Sequence, residues 1–202
     1  MRRRAYVSSV RTAAAAEKRD RVIEAAARTL REDASISSFS LDNVAKAAGV
    51  TRLTVYNQFG SRRGLLEAVF DDIARQGGLE GIAGAMAIAD PHAALDRLVE
   101  IFCAFWNRDP AVGRLHEAMA TDPEFAAALI DRNERRRRGV RVLVDRIAGK
   151  PASRRARQDA VDTIFALTSY AVFAMLSPGR SVDDVCHLVQ SACRAALQPL
   201  AS

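Results

Sequence analysis

Apolar residues along this chain recur mainly at spacings of three and four, the period of a helix with one buried face. Val22, Ile23, Ala26 and Leu30 predict such a face on a helix opening at Glu17, with Arg19, Arg21, Arg28 and Arg31 around the rest. "DASISSF" closes that helix at about residue 33, because Ser and Asp compete for backbone hydrogen bonds. Ser40 is placed to cap a second helix, Leu41 to Ala48, and Gly49 to end it. Thr51 caps a third helix to about Phe59, and Gly60 and Ser61 interrupt again. A fourth helix, Arg62 to Gln76, turns Leu65, Leu66, Val69, Phe70 and Ile73 inward. "GGLEGIAG", residues 77–84, reads as a glycine-rich connection, since glycine at that density weakens a helix. Asp-Pro pairs at 90–91, 109–110 and 122–123 predict starts for helices at about 91–106, 110–120 and 123–148. Further helices are expected at about 154–176 and, from a Ser181 cap, 182–197. No Val/Ile run alternates with period two, so no strand is predicted. The expectation is an all-α chain of about nine helices.

Charge divides this chain where the helix pattern does not. Residues 1–64 hold 13 Lys+Arg against 6 Asp+Glu, and residues 65–202 hold 17 against 18. The whole positive excess, +6 overall, therefore lies in the first third. This predicts a flexible basic tail at 1–16 and a polyanion-binding module at 17–61. A larger helical body follows at 62–202, with the helix at 62–76 as the link. The longest apolar stretch, Ile164 to Leu176, falls short of the ~20 residues of a membrane span and holds Thr168, Ser169 and Tyr170. The basic N-terminus lacks an apolar leader core, so a cytoplasmic chain without a membrane partner is expected. Cys103, Cys186 and Cys193 form an odd set without paired spacing and read as small buried hydrophobes. His92, His116 and His187 are scattered, and no zinc spacing, phosphate loop or nucleophile elbow is present. No cofactor, metal or enzymatic activity is expected.

The segment 41–58 fits a helix-turn-helix. Ala45 supplies the small residue where two helices cross, and Gly49 the permissive turn four residues on. Val44, Ala48, Val50 and Val55 serve as apolar anchors. Arg52, Leu53, Thr54, Tyr56 and Asn57 are then left outward or flanking, on a helix sized for a DNA major groove. Arg52 can donate twice to guanine and Leu53 can touch a thymine methyl. Thr51, Tyr56 and Asn57 suit phosphate oxygens, as does Ser40 at a helix N-terminus. Arg62 and Arg63 can clamp the backbone nearby. "FSLDNVAKAAGVTRLTVYNQFGSRRGLLEAVF", residues 39–70, resembles the DNA-binding domain of TetR-family transcriptional regulators. Gly49, Val50, Thr51, Thr54, Val55, Tyr56, Phe59, Leu65 and Leu66 carry the likeness, which covers about residues 17–75. Gln58 stands where many members have histidine, and Arg62 where most have lysine. The resemblance implies a three-helix DNA-binding head and a ligand-sensing, dimerising helical domain. Gln58, whose side chain keeps a hydrogen-bonding end, joins the expected DNA contacts.

The larger domain is read more coarsely. Ile164 to Leu176 is apolar nearly all round, and Val182, Val185, Cys186, Val189, Ala192, Cys193 and Ala196 form a stripe. Helices at about 154–176 and 182–197 are therefore expected to form a homodimer. Phe102, Phe105, Trp106, His116, Met119, Phe165, Tyr170 and Phe173 are candidate contacts for a small apolar or weakly polar effector. "ERRRRG", residues 134–139, reads as a solvated face, aided by Asp131–Arg135 and Glu134–Arg138 pairs. The expected function is a ligand-responsive regulator, a repressor on a palindromic operator in double-stranded DNA. The rivals left open are a helical ligand carrier or enzyme with an incidental basic head, and an activating or ligand-independent DNA binder.

Overall fold

A computed structural model describes residues 2–32, 39–148 and 152–200, with side chains at all of these except 2–12 and 121. The described residues form eleven α-helices, a terminal 3₁₀ turn at Gln198–Leu200 and no strand. The chain divides into two compact units, Met1–Ile73 with Pro110–Ala126, and Ala74–Asp109 with Ala127–Ser202.

The first unit holds α1 (Arg2–Glu32), α2 (Leu41–Ala48), α3 (Arg52–Phe59), most of α4 (Arg62–Gln76), α7 (Ala111–Thr121) and the first turn of α8 (Pro123–Ile147). α1 packs against both α2 and α7, and α2 packs against α3. The predicted face of α1 is buried, with Val22, Ala26 and Leu30 at its centre. Phe39, Val44, Ala45, Val55, Leu65, Leu66 and Val69 are buried as well. Each buried Val, Leu or Phe side chain among these contributes about 1.5–3 kcal/mol on burial, so these contacts outweigh exposed ion pairs at about 0–1 kcal/mol.

The second unit holds α5 (Gly81–Met86), α6 (Pro91–Arg108), the rest of α8, α9 (Arg154–Leu167), α10 (Tyr170–Leu176) and α11 (Val182–Leu197). α11 packs on α6 and α9, α10 packs on the same two helices, and α5 packs on α6. Leu95, Leu98, Val99, Leu143, Val144, Val161, Ile164, Val185 and Val189 lie in one core. All three cysteines are buried in it.

Four expectations change. α1 begins at Arg2, so residues 2–16 are helical where a flexible tail was expected; residues 13–21 are exposed along that helix. Inside the glycine-rich connection, Gly81–Met86 is helical, because α6 covers one side and buries Ala85. Pro110, without a side-chain cap, occupies the N-cap position of α7, in place of Asp109. Finally, the single helix expected at 154–176 is two, bent by 58°. At the bend, Thr168 Oγ1 donates to the carbonyl of Ile164 at 2.9 Å, and Ser169 accepts the Val172 N–H at 3.3 Å to cap α10. Local side-chain bonds of this kind give the backbone an alternative to continuing the helix. No single helix among the described residues is long and apolar enough to cross a membrane; α9 and α10 reach that length and composition only as the bent pair.

Candidate functional site

The recognition segment is built from caps and one tight turn. Ser40 Oγ accepts the Asn43 N–H at 3.2 Å and starts α2. Gly49 has φ 65°, the left-handed region where a side chain is strained. Its N–H donates to the Lys46 carbonyl at 3.2 Å, and the Val50 N–H donates to Ala45 at 3.0 Å. This pair of bonds is the Schellman closure, which satisfies the last carbonyls of α2 while turning the chain. Thr51 Oγ1 then accepts the Thr54 N–H at 3.2 Å and starts α3, with the two threonine hydroxyls 2.9 Å apart. Val55 is fully buried and anchors α3 from beneath. At its far end Arg19 Nη1 donates to the Gln58 carbonyl at 3.1 Å, and the guanidinium lies 4.5 Å over the Phe59 ring. A cation there also suits the negative end of the helix.

With Val55 inward, Thr51, Arg52, Leu53, Tyr56 and Asn57 are exposed on one side of α3. Leu53 is 66% and Tyr56 56% exposed, a high fraction for large apolar side chains on one short helix. Arg52 pairs with Asp42 of α2 at 3.1 Å, with both side chains more than half exposed. An exposed pair of this kind is worth about 0–1 kcal/mol, so Asp42 orients Arg52 without holding it firmly. Ser40 and Thr54 are half-buried. Gln58 is half-buried too, and its side-chain oxygen is buried without a hydrogen-bond partner.

Arg62 works within the protein. Its Nε donates to the Phe39 carbonyl at 3.1 Å, its Nη1 to Asp122 Oδ2 at 3.3 Å, and the guanidinium lies 5.7 Å from the Phe39 ring. Asp122 also caps α8, accepting the Phe125 N–H at 3.0 Å on Oδ1. Arg63 likewise has Glu67 at 2.8 Å and Glu124 at 3.7 Å. Sequence reasoning missed Arg19, Asp42 and Asp122. Asp122 was visible only as a helix-start signal, and nothing local tied it to Arg62.

In the second unit, Trp106 gathers the predicted aromatics. Its ring stacks with Phe102 at 6.1 Å, tilts against Phe105 at 4.7 Å and meets Tyr170 edge-on at 5.8 Å. Its Nε1 donates to the Thr168 carbonyl at 3.2 Å. Phe173 is in the core. Phe165 reaches the group through an unforeseen residue, Arg136. That guanidinium lies 4.2 Å from the Phe165 ring and 5.6 Å from Phe102. Its Nη1 donates to the Phe165 carbonyl at 3.1 Å and to Thr168 Oγ1 at 2.9 Å. Burial, with the nearby Arg137 charge, pulls its pKa down to about 10. The solvated arginine face is thus corrected. Arg135 and Arg138 are exposed, Arg137 pairs with Glu134 and Asp162, and Arg136 turns inward. His116 and Met119, the remaining predicted contacts, belong to the first unit, where His116 Nδ1 lies 3.1 Å from the Val112 carbonyl.

An all-α chain with a capped helix-turn-helix in one unit and an aromatic, helical second unit defines a class, the helix-turn-helix regulators with an appended helical domain. Residues 23–69 match the family described as bacterial regulatory proteins, tetR family, and residues 89–199 match the tetracyclin repressor-like C-terminal domain. The chain belongs to the TetR family. Among curated proteins it is 34% identical over 110 residues to the HTH-type transcriptional regulator EthR of Mycolicibacterium smegmatis, covering 53% of this chain and 50% of that one. It is 47% identical over 49 residues to the regulator AlkX of Mycobacterium tuberculosis, covering 24% and 23%. The chain thus spans about half the length of the first of these relatives and about a quarter of the second. Among solved structures, a transcriptional regulator from Rhodococcus sp. Rha1 superposes with a TM-score of 0.70 at 17% identity, over 89% of this chain and 96% of that one.

Proposed function

We propose that this chain is a ligand-responsive transcriptional repressor, a cytoplasmic homodimer released from a palindromic operator by a small effector. One observation carries the DNA-binding reading: α3 exposes Arg52, Leu53, Tyr56 and Asn57 together on a helix fixed by caps at its start and by Val55 beneath. Such a helix presents a guanidinium fork and an apolar contact to base edges, and polar ends to phosphates. Arg52 and Leu53 read bases; Ser40, Thr51, Thr54, Tyr56, Asn57 and Gln58 set register on the backbone. Arg62 supports that surface from behind, through Phe39 at the entry to α2, and reaches phosphate only by sharing its charge with Asp122. The family binds DNA and small effectors and acts as dimers; the pairing through α9–α11 and the aromatic group around Trp106 are this chain's own version. A protein of this kind is generally not an enzyme.

The test is operator binding. Footprinting on the DNA flanking the gene should protect an inverted repeat. Arg52→Ala should relax the preference at one base pair per half-site, with a cost of about 1–3 kcal/mol there. An Arg52→Ala protein with unchanged sequence preference would remove the base-reading role.

A further inference from the structure

The second unit holds a half-buried cation whose innermost nitrogen its surroundings leave unused. Among the described residues no carboxylate pairs with Arg136, whereas its neighbour Arg137 takes Glu134 and Asp162. Nη1 serves the carbonyl and hydroxyl at the α9–α10 break. Nε is buried and has no hydrogen-bond partner. A structural pin for the break does not need this residue. Trp106 performs the same task on the Thr168 carbonyl with a neutral N–H, and a neutral donor avoids the desolvation cost of a charge. The rings of Phe165 and Phe102 attract the cation through their π faces, but such contacts leave in-plane N–H donors unanswered.

We propose that Arg136 anchors a carboxylate on an otherwise apolar effector, with Nε and Nη2 as its paired donors and Phe102, Trp106, Phe165 and Tyr170 as the walls around its apolar body. The two remaining donors on one edge of a guanidinium match the two oxygens of a carboxylate. One uncommitted cation suits a monoanion; a phosphate dianion calls for a second, and Arg137 is already neutralised by two carboxylates. An arginine-lined groove elsewhere in the unit carries Asp145 and Asp159 against Arg157 and Arg155, and its other two arginines, Arg141 and Arg154, are exposed to water. This inference rests on the reading that the second unit holds an effector, and it turns the expected weakly polar ligand into an anionic one.

Trp106 is the only tryptophan in the chain, so its fluorescence reports this site without a label. The full-length protein is titrated with 4-phenylbutanoate and decanoate, and with the matched 4-phenylbutanamide and decan-1-ol, at fixed ionic strength. Acetate serves as a carboxylate without an apolar body. At least one long acid should change Trp106 emission and weaken operator binding, more than about tenfold better than its neutral partner. Arg136→Met should abolish that preference while keeping the neutral compound's affinity. Arg136→Lys should recover part of it, which guards against loss of fold as the cause. Equal binding of acid and neutral compound, unaffected by Arg136→Met, overturns the carboxylate anchor yet leaves the effector reading standing. Failure of both acids to perturb Trp106 also overturns it. Failure of the neutral compounds as well, with operator binding untouched by all four, counts against the effector reading itself.

Discussion

Arg52 and Arg136 show how surroundings divide one residue type between jobs. Arg52 is exposed, and its pair with Asp42 is weak enough to exchange for a base edge. Arg136 is enclosed by rings and by the end of α9. The cysteines make the same point for a titratable group. Burial pushes Cys103 and Cys193 from 9.0 up to about 12, and Cys186 upward too. A folded pKa raised above the unfolded one stabilises the fold below pH 9, and that contribution is lost as pH rises toward 12. Two consequences are expected. Stability should fall in alkaline buffer between those limits. At pH 8 an aromatic disulfide reagent should label native Cys103 and Cys193 on the order of a thousandfold more slowly than in the unfolded chain, and Cys186 more slowly too. Rapid labelling of three thiols in the folded protein would contradict the buried assignment.

At the scale of elements, the junction of α3 and α4 is the tightest feature. A Cβ on Gly64 would lie 2.1 Å from the Phe59 carbonyl oxygen, a backbone atom that cannot swing aside. Gly64→Ala should therefore destabilise the protein by about 1–3 kcal/mol. Gly84 in α5 has nothing within 4 Å of the same added atom, so Gly84→Ala should stabilise by about 0.4–1 kcal/mol. A thermal midpoint that rises for Gly64→Ala would contradict the close approach at the junction, and one that falls for Gly84→Ala would contradict the open space in α5. The bounds of α2, α3, α4 and α11 were readable because caps, turn glycines and apolar spacing act within one or two turns. The break at Thr168–Ser169 was not. Its apolar run looks continuous, and what answers the open backbone there comes from Trp106 and Arg136, 62 and 32 residues away.

At the scale of the whole molecule, the proposed dimer makes its own predictions. Leu188 on α11 and Met175 on α10 are large apolar side chains exposed at 43% and 70%. In the proposed pairing through α9–α11, these are the exposed large apolar side chains those helices have to bury. Leu188→Arg should give a monomer by sedimentation and sharply weaken binding to an inverted repeat, with binding to a single half-site little changed. A dimer that survives both Leu188→Arg and Met175→Arg would move the interface elsewhere. Any response to an effector further requires that it bind the operator-competent and released states unequally.

The sequence by itself determined the helical class, the helix-turn-helix and the outward set on α3. Those rest on periodicity, capping and a single glycine, all interactions between near neighbours in the chain. Tertiary structure alone decided that α7 joins the first unit, that Arg62 leans on Asp122 sixty residues on, and that one arginine of four turns inward. In each case the deciding partner is far away along the chain. A local pattern can show that a charge sits on a helix, while only packing determines whether water or an aromatic ring surrounds it.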